Sequence, residues 1–247
     1  MGWRICAAVM FLLQLVFSGS ALAEDSDFAF VFLCDARKNT ICMTTLYPSG
    51  QKMLMLGSRS DVCRAETNGE FIFHRGPKDI PITKIDISRC PNRSNYFLAY
   101  GGKAVANYKR YAPDAVKVPG LVDKIDSAIK QLKFYSTANE YFGNTLSARP
   151  SCFYPLPGND NVIIAQYATA KPKDNSDKYG PVYLFLDGEV REIASEASLG
   201  NLFKMNGRYF MTYRAGCWQG CGILAEVLVE ITPEGFRKVR IDNFFGA

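Results

Sequence analysis

The chain has 247 residues, 48% of them apolar, with 29 basic against 24 acidic side chains and a net charge of +5. That surplus is too small and too evenly spread for a nucleic-acid partner, although anionic envelope polymers and lipid headgroups fit it. The single histidine, His74, excludes histidine-rich zinc centres and the H-E-x-x-H motif, and the chain has no P-loop, G-x-S-x-G or dinucleotide glycine pattern.

Residues 1–23 carry one charged side chain, Arg4, then a largely apolar run from Ile5 to Phe17 and a closing Ala21-Leu22-Ala23. This is the pattern of a cleaved signal peptide of bacterial type. The mature chain is expected to start at Glu24, to be soluble, and to work in the periplasm or outside the cell. On that reading Asn92-Arg93-Ser94 is not a glycosylation site. Of the eight cysteines, Cys6 lies in the leader, so an odd number reaches an oxidising compartment. Spacing pairs Cys34 with Cys42 about a turn centred on Lys38, Cys63 with Cys90, and Cys217 with Cys221 about a turn centred on Gln219. Cys152 is then left over, the alternative being that it takes Cys217 or Cys221. Loop entropy assigns about 3.5 kcal/mol to the Cys63 bridge and about 2 kcal/mol to the short Cys217 ring.

In chain order, residues 28–34 are apolar on both faces and read as a strand covered on each side. Residues 41–47, 52–56, 70–75, 81–87, 96–100 and 103–108 continue a β pattern. Within 70–75, Phe71 and Phe73 share one face and Ile72 and His74 the other. The spacing of Val122, Ile125, Ile129 and Leu132 predicts one helix over 121–134, with Asp126 and Lys130 as an i,i+4 pair and its apolar stripe packed on the N-terminal sheet.

Residues 135–161, rich in Ser, Asn, Gly and Pro, read as a linker. They divide an N-terminal β-rich domain with a C-terminal helix, 24–136, from an antiparallel β domain, 137–247. The second half reads as short strands at 162–168, 182–186, 190–193, 202–205, 208–214, 223–230 and 237–241. Asp187-Gly188 and Asn206-Gly207 serve as hairpin turns. The fold class is mainly β with one substantial helix, in antiparallel sheets, the C-terminal half packed like a sandwich or a partial propeller.

No catalytic motif emerges. Cys152 with His74 is a nucleophile pair in name only, because Arg149-Pro150-Ser151-Cys152-Phe153-Tyr154 matches no cysteine-protease signature. His74 itself reads as a half-buried structural residue. Met43, Met53 and Met55 have the softness to hold Cu(I), but methionines at this spacing more commonly fill a core, and no cofactor or metal is expected. Asp187, Glu189, Glu192, Glu196 and Asp242 are the carboxylates available for a hydrolase pair.

The most suggestive binding surface is Tyr213, Arg214, Trp218 and Gln219, an aromatic and an arginine around a loop stapled by Cys217 and Cys221. The sequence therefore points to an exported, disulfide-stabilised, non-catalytic binding protein whose partner is a protein or envelope polymer. The alternative is an envelope-polymer hydrolase using paired carboxylates.

Overall fold

The all-apolar stretch near the N-terminus forms β1 (Phe28–Asp35), and its first half is buried on both faces. Ala29 and Val31 point into a closed barrel, while Phe28 and Phe30 point outward onto a second sheet. The computed structural model describes residues 27–35, 40–75, 78–91, 95–102, 104–112, 119–143, 146–148, 150–156, 159–169, 179–216 and 224–244. The structure is predominantly antiparallel β with limited helix, as the strand patterning implies.

The barrel comprises β1, β2 (Thr40–Met43), β3 (Lys52–Gly57), β4 (Val62–Arg75), β5 (Lys78–Asp86) and β6 (Tyr96–Tyr100), closed in the order β1-β2-β5-β4-β3-β6. Met43, Met53 and Met55 lie in its interior with Ala29, Ile41 and Ile85, so the three thioethers fill the core. Disulfides join Cys34 to Cys42 and Cys63 to Cys90, both pairs that spacing predicts. The first differs in detail. The register steps from Leu33 opposite Ile41 to Asp35 opposite Thr40, leaving Cys34 in a bulge, while Cys42 faces Phe32. The bridge is therefore diagonal, and the connection is not centred on Lys38.

His74 is exposed rather than half-buried. It sits where β4 and β5 run on beyond the barrel wall, and its Nδ1 pairs with Asp79 at 2.6 Å. Both side chains are mostly in water, which leaves this pair little stabilising weight.

The second sheet takes β8 (Cys152–Leu156), β9 (Asn159–Gln166), β10 (Gly180–Leu186), β11 (Glu189–Met205), β12 (Arg208–Ala215), β13 (Leu224–Thr232) and β14 (Gly235–Phe244), in reverse chain order across its width. An eighth strand, β7 (Lys109–Tyr111), pairs with the second half of β11 on the edge that β10 uses in the first half. Asp187-Gly188 and Asn206-Gly207 form the tight turns, with φ of 48° and 94° in the first and 52° and 80° in the second. Those left-handed conformations are what Asp, Asn and Gly supply at a two-residue hairpin. The runs at 190–193 and 202–205 are one long strand, interrupted by bulges.

One face of this sheet carries a continuous apolar cluster drawn from β8 through β13, including Tyr154, Ile164, Leu184, Leu202, Met211 and Val229. Among the described residues, neither a helix nor the barrel contributes to it. The outer face is shared. Helices lie over β9 and β10, and the barrel's Phe28, Phe30, Leu98 and Tyr100 pack on Phe203, Phe210, Leu228 and Val239.

The expected single helix is two, α1 (Pro119–Lys130) and α2 (Lys133–Tyr141), with Leu132 extended between them at φ −83°, ψ 136°. Ile129 and Phe134 stand five residues apart, about 140° around a continuous helix. A break lets Val122, Ile125 and Ile129 of α1 and Phe134 of α2 face the same sheet. That sheet is the second one, not the N-terminal barrel, because the partners of this stripe are Ile163, Ala165, Tyr167, Tyr183 and Phe185. The Asp126–Lys130 pair forms at 2.7 Å, and the other oxygen of Asp126 accepts a 2.6 Å hydrogen bond from the Tyr167 hydroxyl. Among the described residues no helix is long and apolar enough to cross a membrane.

Candidate functional site

Helix α2 belongs to the stretch whose composition reads as linker, yet Phe134, Ala138, Tyr141 and Phe142 recur at spacings of four, three and one. That places them on one side of a helix. Together with β11 they enclose a groove of about 750 Å3, whose sheet side is Glu192, Ser195 and Glu196. Such a volume is of the size that takes a small ligand or one side-chain cluster of a larger partner.

The sheet side is shaped by a bulge. Tyr183 pairs with Glu192, but Val182 pairs with Ala194, so Ile193 is an extra residue. Ile193 and Ala197 turn into the inner cluster, leaving Glu192, Ser195 and Glu196 toward the helix. Strict alternation would not bring the neighbours Ser195 and Glu196 to one groove; a second bulge does, since Val182 pairs with Ala194 but Gly180 with Ala197, leaving two residues of β11 against one of β10.

Both carboxylates are half-buried, and burial pushes each above the ordinary carboxylate range. For Glu196 a hydrogen bond from the Tyr141 hydroxyl to Oε2, at 3.2 Å, opposes that rise in part. Its Oε1 is buried and meets no hydrogen-bond partner among the described residues. Beneath, Tyr183 is fully buried with its ring 5.3 Å from that of Phe134, and its hydroxyl also has no partner among the described residues. Burial raises the Tyr183 phenol first, and the charge of Glu192 adds to it, which puts that hydroxyl within electrostatic reach of the groove.

The other candidate carboxylates are elsewhere. Asp187 is exposed in its turn, Glu189 holds Arg191 at 3.0 Å, and Asp242 is buried against Arg240. Of the five, only Glu192 and Glu196 share a groove. Among the described residues no group of three His, Cys, Asp or Glu has the arrangement of a metal site.

The proposed recognition surface is divided by the pleat. Arg214 lies on the outer face, paired with Glu226 at 3.0 Å, and lines a cleft of about 600 Å3 between sheet and barrel. Tyr213, one residue earlier, points to the opposite face and is 2% exposed in the inner cluster, so its ring is not on the surface Arg214 occupies. Cys217, Trp218, Gln219 and Cys221 lie outside the described residues, as does the side chain of Cys152. The end of β12 that leads into the Trp218 loop adjoins the groove, since the Gly216 N–H donates to the Glu196 carbonyl at 3.4 Å.

Sequence reasoning missed α2 and therefore the groove. The available signal was the four-residue spacing that runs from Phe134, at the end of the expected helix, to Ala138 and Phe142 within the presumed linker. Comparison with protein-family models, curated proteins and solved structures gives no match to this chain.

Proposed function

We propose that the protein is an exported, disulfide-stabilised binding protein of the periplasm or extracellular space, with the groove between α2 and β11 as its ligand site. The two disulfides are compatible with an oxidising compartment, and the leader-like residues 1–23 support export. The ligand is a component of the cell envelope.

One observation carries the choice of binding over hydrolysis. An acid–base pair needs environments that drive two carboxyls apart, one to hold a proton and one to remain ionised. Glu192 and Glu196 hang from the same strand and are pushed in the same direction by the same cause, burial. That common direction, together with their place on one groove wall, supports holding a ligand over dividing acid from base.

Immobilised wild type, Ala138→Trp and Trp218→Ala, each with a thermal melt, are exposed to an envelope extract. Loss of the bound species from Ala138→Trp at an unchanged melting temperature supports the groove. Loss confined to Trp218→Ala moves the site to the loop, and release of polymer fragments that Glu192→Gln abolishes would overturn the binding reading.

A further inference from the structure

The groove has a chemical bias that narrows its ligand. Its helix side is apolar, from Phe134, Ala138 and Phe142, and its sheet side presents Glu192 and Glu196. Among the described residues the only cation lining it is Lys133, which forms an ion pair with neither glutamate. The local balance is thus acidic on a chain whose net charge is +5.

Two other carboxylates in this protein are matched by cations, the half-buried Glu226 by Arg214 and the buried Glu230 by Arg208 and Arg237. Glu192 and Glu196 have no such match among the described residues. Leaving them partly desolvated costs stability that a bound cation returns. Two buried polar atoms also lack partners among the described residues, Oε1 of Glu196 in the groove wall and the hydroxyl of Tyr183 beneath it. Tyr183 faces Glu192 across the β10–β11 ladder, so both side chains leave the same face of the sheet.

We propose that the groove binds a small amphipathic cation, its ammonium or guanidinium head held by Glu192 and Glu196 and its apolar body laid against Phe134 and Phe142. This rests on the reading of the groove as the ligand site. The volume suits a single-chain amphiphile, and it is too small for an extended macromolecular surface. The head group brings the donors that the two carboxylates lack, and an apolar tail displaces water from the aromatic wall.

The test is calorimetric titration of the full mature chain with octylammonium chloride and, in parallel, sodium octyl sulfate, both below their micellar concentrations. Octylammonium is expected to bind at least tenfold more tightly than octyl sulfate, and Glu192→Gln with Glu196→Gln to weaken it at least tenfold at a melting temperature, without ligand, no lower than that of wild type. Ala138→Trp, or the milder Ala138→Leu if the tryptophan variant is unstable, should abolish binding. Equal affinity for the two amphiphiles, both blocked at Ala138, overturns the cation assignment and leaves the groove as a ligand site. Undiminished octylammonium binding by both Ala138 variants overturns the groove itself, and no octylammonium binding by wild type overturns the proposal.

Discussion

Asp242 of β14 accepts a hydrogen bond from the main-chain N–H of Phe30 in β1, 3.1 Å away and 212 residues distant in sequence. The same carboxylate accepts from Arg240 Nε, and Arg240 reaches on to Thr45 Oγ1 beside the barrel. The barrel and the second sheet are thus joined by an ionic stitch as well as by the aromatic packing of Phe28 on Phe210, with ring centroids 5.5 Å apart. Asp242, a carboxylate that the sequence offers for catalysis, is occupied by this structural task.

Asp242→Ala leaves Arg240 without its counter-charge and the Phe30 N–H without its acceptor. A loss of about 3–5 kcal/mol is expected, the range for breaking one side of a buried pair. Urea unfolding monitored by near-ultraviolet dichroism checks it. A loss under about 1 kcal/mol would show that the stitch is idle and that apolar contact alone holds the two sheets together.

Glu230 governs the acid side of the stability profile. Burial alone would raise its carboxyl, but hydrogen bonds and charge from Arg208 and Arg237 outweigh burial and hold it below the ordinary range. A carboxyl lowered in the folded state contributes stability that is fully present above its unfolded value, near pH 4.5, and is lost as pH falls through the folded value. Glu230→Gln should therefore narrow its deficit against wild type as unfolding is measured from pH 6 downward. A deficit that stays constant with pH excludes the ionic contribution.

The turns and two of the cysteine pairs are legible in the sequence because each is local. Asp187-Gly188 and Asn206-Gly207 carry their own left-handed backbone, and Cys34 and Cys42 are brought together by one short connection. The barrel's closure is not legible. It depends on β6 meeting both β1 and β3, a pairing that no turn residue encodes. Alternation did hold enough to separate Tyr213 from Arg214, since neighbours on a strand face opposite ways. The groove stayed hidden for a different reason. Glu192 and Glu196 acquire their character from α2 above them, and the helix lies in a stretch whose average composition is that of a loop.

Tyr183→Phe removes a buried hydroxyl that has no hydrogen-bond partner among the described residues. Because the ring remains packed on Phe134 and Tyr167, only the desolvation penalty disappears. The variant is expected to gain about 1 kcal/mol or more in thermal unfolding without ligand. A clear loss instead would show that the hydroxyl is satisfied, and would remove one of the two unsatisfied groups on which the cation proposal draws.

The Cys63–Cys90 bridge closes a loop of 27 residues and the Cys34–Cys42 bridge one of 8. If the bridges act mainly by restricting the unfolded chain, their loss costs about 3.5 and about 2.5 kcal/mol respectively. Surroundings do not separate the two. Cys90 packs inside the barrel with Met43, Met55 and Tyr96, and Cys42, equally buried, packs with Ile80 and Ile82, so replacing either thins a core cluster and loop length decides the order. Paired alanine substitutions, compared by denaturant midpoint under oxidising conditions, should rank the Cys63 and Cys90 variant as the more damaged. The order should persist when both variants are compared with reduced wild type. If the Cys34 and Cys42 pair proved the costlier loss, the entropy argument would fail, and the bulge at Cys34 would have to be a register lock that holds β1 against β2.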